Sequence, residues 1–416
     1  MAAALGVSAA PAPVGAQPPT RLQVGAYYFL WYPRNLGQGT LRAHLVPRQM
    51  PSPATLASND PTVAARDIAA GRRAGITFFA VDWWPRNPTF PGWAHRDADA
   101  AMTAFLAAPD IGRIKFAMFY ETANLGFDPG LESTPVTPAK EQQFDADMVD
   151  FARRYFVNPD YLFVDGRPVV FLYLTRTLTG DVAGMMRGAR QALAPLGYDP
   201  YFVGDEVYWR VTPLRRAPWA PVLTTAPQVA RIEAFDAVTA YSLYYGDPEP
   251  FLGPTRDFVG YPGTTPIVTD EVGLLAEYRR ATGGRVPVVP DVSPGFNDRG
   301  VRLATEHPAE PRQWVAGAAP ASTLDHLFND VAVPSVDPGL PMVMVTTWNE
   351  WNEDTFVEPV GGTPTAVDDS PFRQAYTQGY RYGGEGSSDV ATLRRDIASA
   401  DRSHPWVRAA PPAAGH

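Results

Sequence analysis

The sequence contains no cysteine, which excludes disulfides, thiolate metal ligands and cysteine nucleophiles and leaves the redox compartment open. Its six histidines show no His-x-x-x-His spacing, so a zinc centre is not predicted. Neither a Gly-x-Ser-x-Gly elbow nor a phosphate-binding P-loop is present, which counts against serine esterase and nucleotide chemistry. We expect no cofactor and no metal, although an acidic rim leaves Ca²⁺ or Mg²⁺ as an alternative.

Basic charge is also scarce. The formal net charge of −9 opposes attraction to phosphate backbones, and no basic stripe interleaved with aromatics is present, so nucleic acid is not a predicted partner. No apolar run is long enough to span a bilayer. With 45% hydrophobic and 19% charged residues, the composition is typical of a globular protein.

The first residues are rich in alanine and proline and carry almost no charge. Residues 1–21 resemble the later part of a secretory leader without its basic start, and a disordered extension is the alternative. We expect a catalytic domain over residues 22–405 and a flexible tail over 406–416. A secreted or periplasmic location and a monomeric state are predicted, with a cytoplasmic location left open.

Apolar, β-branched and aromatic runs recur along the chain with helical or loop material between them, as in parallel strands covered on both faces. The eight runs are VGAYYFLWY (24–32), ITFFAVDWW (76–84), IKFAMFYE (114–121), RPVVFLYLT (167–175), PYFVGDEV (200–207), FDAVTAYSLYY (235–245), VPVVPDV (286–292) and PMVMVTTWNEW (341–351). They predict a single-domain (β/α)8 TIM barrel. An open doubly wound sheet is the alternative, but no Gly-rich turn follows its first strand.

Several connecting segments carry helix or turn signals. Asp60 followed by Pro61 predicts an N-cap and a helix that ends near Gly75. Apolar residues at helical spacing predict two further helices that dock on the sheet, through Phe144, Met148, Phe151 and Tyr155 and through Val182, Met185, Met186, Ala189 and Leu193. The Asp-Gly pair within YLFVDGRPVV (161–170) predicts a hairpin before the fourth barrel strand.

Carboxylates and large aromatic rings gather where the runs end, which is the catalytic rim of a barrel. The eighth run continues as TWNEWNED (347–354), and its candidates for catalysis are Glu350 and Glu353. The candidates for substrate binding are Tyr27, Tyr28, Trp31, Asp82, Trp83, Trp84, Glu121, Glu206, Tyr241, Trp348, Asn349 and Trp351. Tyr32, Tyr120, Asp205, Tyr244, Tyr245 and Asp291 belong to the same strand ends.

This mixture of residues favours a sugar ligand. Sugar C–H faces pack on indole and phenol rings, and sugar hydroxyls satisfy carboxylates that are costly to bury alone. Glycoside cleavage needs two carboxyl groups, and repulsion between close carboxylates raises one pKa and creates the acid. For each residue there is a structural alternative: single aromatics often pack the rim, and Asp82, Asp205 and Glu206 could cap helices or pair with arginines.

The sequence resembles glycoside hydrolase family 99, the endo-α-mannosidase and endo-α-mannanase group, with its WbsX-like relatives. The matching pieces are GAYYFLWY (25–32), AGITFFAVDWW (74–84), VDGRPVVFLY (164–173) and TTWNEWNEDTFVEP (346–359). The resemblance implies a (β/α)8 barrel and a retaining, metal-free mechanism through a 1,2-anhydro sugar. It implies that Glu350 takes the proton of the sugar 2-hydroxyl and that Glu353 protonates the departing oxygen and then activates water. Tyr241 and the first-strand tyrosines would line the subsite of the cleaved sugar.

This sequence departs from the family pattern at two motif positions and in one loop. Asp354 stands where the family usually has glycine, Asn352 occupies a variable place, and the Pro-rich loop 34–60 has no clear family pattern. We expect a retaining hydrolase that acts, internally and on an α-mannoside as the best guess, on an oligosaccharide or polysaccharide. A silent glycan-binding or polysaccharide-assembly protein and a glycosyltransferase are the alternatives, and the latter lacks a nucleotide-sugar motif.

Overall fold

The computed structural model describes residues 21–50, 53–85, 92–128, 133–207, 226–241, 260–303, 309–359, 367–368, 376–383, 386–404 and 406. The leader-like segment and the tail lie outside these ranges, apart from Arg21 and Trp406. So do Tyr244 and Tyr245, at the end of the sixth predicted strand.

Within the described residues, nine short strands form the barrel sheet, and each is parallel to the barrel strands beside it. They are β1 Gln23–Tyr28, β2 Phe78–Trp83, β3 Lys115–Glu121, β4 Arg167–Tyr173, β5 Tyr201–Asp205, β6 Ala237–Thr239, β7 Val288–Val289, β8 Asp291–Val292 and β9 Met342–Val345. Their spatial order is β7-β6-β5-β4-β3-β2-β1-β9-β8. All eight predicted runs therefore contain barrel strand, which confirms the (β/α)8 fold.

The seventh predicted run is divided between two strands, and this division closes the barrel. Val288 of β7 pairs with Val238 of β6, whereas Asp291 of β8 pairs with Met344 of β9. Pro290 lies between the two strands, and its carbonyl accepts a hydrogen bond of 2.8 Å from the Met344 N–H. Because proline has no N–H of its own, the strand cannot continue its ladder through this residue. One run of the chain thus joins both edges of the sheet.

Helices and short accessory strands surround the barrel. The helices are α1 Pro61–Ala74, α2 Gly92–Leu106, α3 Pro138–Phe151, α4 Val182–Leu193, α5 Ala226–Ile232, α6 Ile267–Ala281, α7 Ser322–His326, α8 Val333–Ser335 and α9 Ser388–Ser403. A π turn at Ala152–Phe156 extends α3, and another at Leu327–Ala332 joins α7 to α8. Leu45–Val46 pairs with Val367–Asp368, and Thr134–Pro135 pairs with Leu178–Thr179. No helix within the described ranges is long and apolar enough to cross a membrane.

The predicted helix signals are confirmed. The Asp60 side chain accepts a hydrogen bond of 2.8 Å from the Thr62 N–H at the start of α1, and the helix ends at Gly75 with φ +94°. The two predicted apolar faces, one on α3 with its π turn and one on α4, are buried throughout. Parallel strands need both faces covered, and these helices cover the outer face of the barrel.

The predicted hairpin is also confirmed. Phe163–Val164 runs antiparallel to the start of β4, with Val164 opposite Arg167. Asp165 and Gly166 form the turn with φ +53° and +74°. Both central residues of a type I′ turn need this left-handed region, which the Asp-Gly pair tolerates. The hairpin lies at the amino end of β4, opposite the predicted catalytic rim.

Candidate active site

A pocket opens at the carboxyl ends of the barrel strands. Its lining residues are Phe29, Trp31, Asn35, Gln38, Trp84, Glu121, Asn124, Tyr173, Tyr241, Val301, Arg302, Glu350, Asn352 and Glu353. Its volume of about 220 Å³ is smaller than the roughly 300–1,000 Å³ of pockets that enclose drug-sized ligands. The part of the pocket that the described residues enclose therefore suits one ring more than an extended chain.

Glu350 is a buried wall residue of this pocket, with a relative exposure of 3%. Its Oε1 accepts a hydrogen bond of 2.8 Å from the Asn352 N–H, and the Tyr32 hydroxyl lies 3.2 Å from the same atom. Burial, and then the charge of Glu353, raise the pKa of Glu350 well above its usual value, while the Asn352 N–H, Tyr32 and Arg302 oppose the rise. Burial therefore favours the neutral form of Glu350, and the surrounding donors offset this effect in part.

Glu353 lies nearer to solvent, with 18% of its side chain exposed. Its Oε2 is 3.4 Å from the Tyr241 hydroxyl, and its Oε1 is 3.4 Å from Arg302 Nη1. Arg302 also pairs with Asp298 at 2.8 Å, so its guanidinium is fixed from behind. The two glutamates of the sequence motif thus face one pocket from different environments, one dry and one beside a cation.

Aromatic rings form the rest of the wall. The Phe29 and Trp31 rings stack with centroids 4.4 Å apart, and Trp84 meets Trp31 edge to face at 5.7 Å. Tyr173 meets Tyr241 edge to face at 5.0 Å. Rings of this kind offer apolar faces that suit the C–H surface of a sugar.

Asp205, at the end of β5, positions Tyr241 through a hydrogen bond to its backbone. The Asp205 Oδ1 accepts a hydrogen bond of 2.9 Å from the Tyr241 N–H, and its Oδ2 accepts from the Leu174 N–H at 2.9 Å and from Arg176 at 2.6 Å. One carboxylate therefore joins the ends of β4, β5 and β6. Tyr27 lies beneath this group, with its ring 5.2 Å from that of Tyr241, and is not among the lining residues.

Asp82 and Glu121 form a carboxyl pair at the ends of β2 and β3. Their relative exposures are 2% and 7%. Glu121 lines the pocket, whereas Asp82 lies behind it. Burial is the main cause that raises the pKa of each carboxyl group well above its usual value.

Three of the predicted binding residues lie instead around an ionic network between the barrel and α1, in which the two acids are buried and the arginine is partly exposed. Arg66 contacts Asp67 Oδ1 at 2.7 Å and Glu358 Oε1 at 2.5 Å. The hydroxyl of Tyr28 donates to Asp67 at 3.0 Å, and the indole N–H of Trp351 donates to Glu358 at 3.1 Å. The Trp348 ring packs edge to face on Phe79 of β2, with centroids 5.4 Å apart. Tyr28, Trp348 and Trp351 thus lie outside the pocket lining.

Trp83, Glu206 and Asn349 also lie outside the pocket lining. The Trp83 ring packs edge to face on Phe151 of α3 at 4.9 Å. Glu206 forms a buried ion pair with Arg231, with its closest contact at 2.8 Å. Pairing with an arginine was the structural alternative for this residue. The side-chain amide of Asn349 holds the backbone of Phe29, accepting from its N–H at 2.8 Å and donating to its carbonyl at 2.9 Å.

Asp354 turns inward and anchors the loop that carries both glutamates. Its φ of +55° is left-handed, a conformation in which glycine is normally favoured. Its carboxylate receives Arg42 Nε at 2.6 Å and Arg312 Nε at 3.3 Å, all within the buried interior. Arg312 also contacts Asp389 of α9 at 3.1 Å. The extra acid of this sequence therefore fixes a turn and does not face the pocket.

Sequence reasoning missed several pocket residues. Among them are Asn35, Gln38, Asn124, Tyr173 and Arg302. Tyr173 ends β4, so the strand-end rule that selected Tyr241 applies to it as well. The others come from loops without a recognisable pattern. Within the described residues, no group of three or more His, Asp and Glu side chains is arranged to hold a metal ion.

No model of a known protein family matches the sequence, and no curated protein matches it. Solved structures do. A glycoside hydrolase-like protein superimposes with a TM-score of 0.62 at 19% identity, over 94% of this chain and 97% of that chain. The structure of the family 99 endo-α-mannosidase from Bacteroides thetaiotaomicron in complex with bis-tris-propane also superimposes. Its TM-score is 0.58 at 16% identity, over 92% of this chain and 98% of that chain.

A second structure of the same endo-α-mannosidase gives a TM-score of 0.52 at 17% identity, over 90% of this chain and 98% of that chain. At such identities the likeness establishes the barrel fold over nearly the whole length of both chains. It leaves activity to be argued from the site itself.

Proposed function

We propose that this protein is a retaining glycoside hydrolase that cleaves an α-linked glycan with Glu350 and Glu353. The observation that carries the proposal is the meeting of both glutamates in one pocket walled by Trp31, Trp84 and Tyr241. A pair of carboxyl groups is the minimum machinery for acetal cleavage, and the rings suit a sugar face. The likeness to a solved endo-α-mannosidase over nearly the whole chain supports the same reading.

In the proposed first step, Glu350 takes the proton from the sugar 2-hydroxyl. The freed oxygen attacks the anomeric carbon from the side opposite the leaving group and forms a 1,2-anhydro sugar. Glu353 gives its proton to the glycosidic oxygen as that bond breaks. A base with a raised pKa suits this role, because a sugar hydroxyl is a far weaker acid than a carboxyl group.

In the second step, water opens the anhydro ring. Glu353, now ionised, takes a proton from the water, and the protonated Glu350 returns its proton to the 2-oxygen. Attack again occurs opposite the breaking bond, so two inversions give net retention. Arg302 and the Tyr241 hydroxyl, both 3.4 Å from Glu353, support its ionised form between the steps.

This chemistry constrains the substrate. The 2-oxygen must lie trans to the leaving group in order to displace it, as it does in an α-mannoside and does not in an α-glucoside. We therefore propose an α-mannoside as the cleaved residue, with internal cleavage of a polysaccharide as in the similar endo-acting enzyme. A glycan is the only partner that the proposal requires.

The test uses a panel of α-mannans and other microbial polysaccharides, with release of reducing ends as the readout. Glu350→Gln and Glu353→Gln should each lower the rate by roughly 100-fold or more, the usual worth of a positioned acid or base, with unchanged thermal melting. A 2-O-methylated α-mannoside should resist cleavage, because it has no proton for Glu350 to take. Near-wild-type rates in both variants would refute the assignment, and affinity for oligosaccharides without any cleavage by the wild type would favour the glycan-binding alternative.

A further inference from the structure

A short segment of the Pro-rich loop supplies two amide side chains to the pocket. Its backbone forms a 3-10 turn at Arg34–Gln38, and both Asn35 and Gln38 are lining residues. The Asn35 side chain is buried, whereas Gln38 is exposed. Residues 35–39, the amide segment, therefore contribute to the pocket wall without a role in the proposed chemistry.

The loop that carries both glutamates holds the amide segment in place. The Asn352 side-chain amide donates to the carbonyl of Asn35 at 3.0 Å and to that of Gly39 at 2.9 Å, and its oxygen lies 3.4 Å from Asn35 Nδ2. The next residue along the segment, Thr40, donates its hydroxyl to the Trp351 carbonyl at 2.7 Å. The wall that the segment forms is thus fixed at both ends by hydrogen bonds.

The amide segment also packs on the chain that surrounds Glu353. The Asn297 N–H donates to the Glu353 carbonyl at 2.7 Å, and Arg302 Nη1 lies 3.4 Å from Glu353 Oε1. Between these two residues, Gly300 lies so close to the backbone of Thr40 that a Cβ atom would collide with it. The segment therefore lies on the Glu353 side of the pocket, where the departing sugar leaves in the proposed mechanism.

The charges of the pocket indicate what kind of sugar suits this side. Among the described lining residues, Glu121, Glu350 and Glu353 are acids and Arg302 is the one cation. Arg302 is already paired with Glu353 and with Asp298. The pocket thus has no excess of positive charge to attract an anionic substituent. Amide side chains both donate and accept hydrogen bonds, which matches the hydroxyl groups of a neutral sugar.

We propose that the amide segment binds the sugar on the leaving-group side of the scissile bond, and that this sugar is neutral. Gln38 is its hydrogen-bonding residue, and Asn352 is a positioning residue that holds the segment. Because the Asn352 N–H also donates to Glu350 at 2.8 Å, the same residue connects this side of the pocket to the proposed base. The inference rests on the proposed function for the reaction and deepens it by assigning the departing sugar to a loop that has no clear family pattern.

Two substrates with the same cleaved sugar separate this role from the chemistry. One is the polysaccharide, and the other is the α-fluoride of the glycan that the enzyme releases from it, whose leaving group is a fluoride ion and does not reach the amide segment. Gln38→Ala should lower kcat/KM for the polysaccharide by roughly 2- to 12-fold more than for the fluoride, the worth of one neutral hydrogen bond. Asn352→Ala frees the segment and should change the same ratio in the same direction.

Gly37→Ala is the matched control. Gly37 belongs to the same segment, lies outside the pocket lining, and a Cβ atom there would meet nothing within 4 Å. Its ratio of kcat/KM between the two substrates should equal that of the wild type. Thermal melting of all three variants identifies any general loss of folding, which we do not expect for Gln38→Ala because that side chain is exposed.

Two results would overturn the inference. The first is a Gln38→Ala variant whose kcat/KM falls equally for both substrates, or falls for neither, with unchanged melting. The second is a polysaccharide with carboxylate or phosphate groups on the leaving-group sugar that the wild type cleaves as fast as the neutral one. Both are measured on a wild type that cleaves its substrate, so they leave the Glu350 and Glu353 test untouched and the two proposals fail separately.

Discussion

The hydroxyl of Tyr32 lies 3.2 Å from Oε1 of Glu350 and accepts a hydrogen bond of 2.9 Å from the Trp351 N–H. The Tyr32 hydroxyl therefore contacts both the side chain of Glu350 and the backbone of Trp351, the next residue. The hydroxyl has a second acceptor within reach, Asn352 Oδ1 at 3.1 Å. The loop of the last strand is thus built onto the loop of the first.

Tyr32→Phe should shift the pH dependence of the reaction. The Tyr32 hydrogen bond lowers the pKa of Glu350, so its loss should raise that pKa further and move the acidic limb of kcat/KM to higher pH. The variant also leaves the Trp351 N–H buried without its acceptor, at a stability cost of about 1–3 kcal/mol. The pH–rate profile, together with urea unfolding, measures both effects.

Tyr28→Phe is the matched control. It deletes the same hydroxyl from the same strand end, but that group donates to Asp67, outside the pocket lining. It should cost stability and leave the acidic limb in place. Equal shifts in the two variants would show that the limb does not report the Glu350 contact.

Glu358→Gln should change how stability depends on pH. Burial, and then the charge of Asp67, raise the pKa of Glu358 to about 8, with Arg66 opposing. Because the folded state keeps a proton that the unfolded chain releases above about pH 4, stability should fall by up to roughly 1.4 kcal/mol per pH unit between about pH 4 and the folded pKa. Gln removes this titration and keeps an acceptor for the Trp351 indole.

Thermal melting of the wild type and of Glu358→Gln across that pH range measures the effect. The two melting curves should be close at low pH and separate in favour of the variant as the pH rises towards 8. Parallel curves across the range would contradict a raised pKa at Glu358. The related shift of Asp67, to about 6, adds a smaller decline that both proteins share.

Asp354→Ala should be one of the most destabilising substitutions in the chain. It removes the shared acceptor of Arg42 and Arg312, and breaking a buried ion pair from one side costs about 3–5 kcal/mol. Asp354→Gly loses the same ion pairs but relieves the left-handed backbone, which is worth roughly 1–2 kcal/mol. Chemical denaturation should therefore rank the wild type above Gly, and Gly above Ala; a Gly variant as stable as the wild type would refute the anchoring role.

Trp31→Ala should weaken substrate binding more than it affects the chemistry. Its ring lines the pocket, stacks on Phe29 and meets Trp84. The loss of an aromatic contact of about 0.5–1.5 kcal/mol corresponds to a rise in KM of roughly 2- to 12-fold. Trp83→Phe is the control, since that ring packs on Phe151 outside the pocket lining, and it should lower stability with KM unchanged. A rise in KM for the control alone would contradict the proposed binding wall.

The strands and the motif glutamates could be predicted because their signals are local. Buried parallel strands are nearly continuous apolar runs, and the chemistry of a barrel follows their carboxyl ends. Which strand-end aromatic reaches the pocket was harder to predict. Successive side chains on a strand point to opposite faces, so Tyr27 faces the barrel interior while Tyr28 reaches Asp67 of α1. The same alternation separates Asp82 from Trp83.

Long-range partners account for the rest of what the sequence left open. Glu206 could be judged structural only with Arg231 in place, and Asp354 only with Arg42 and Arg312. These partners lie far away in the sequence and leave no periodic pattern. A pocket residue can be missed for the same reason. Arg302 lies in a loop, and nothing in the sequence indicates that it will lie 3.4 Å from Glu353.

The ion pair between Arg312 and Asp389 has a consequence for how the molecule is assembled. Asp389 belongs to the helix at 388–403, and a second contact, from the Leu22 N–H to Asp401 at 3.0 Å, joins that helix to the segment just before the first strand. A truncation before residue 388 would leave Arg312 with one anion fewer and loosen the turn at Asp354. Such a truncation should distort the pocket without deleting any of the side chains that line it, and during synthesis the turn at Asp354 can reach its final form only after this helix has folded against the barrel.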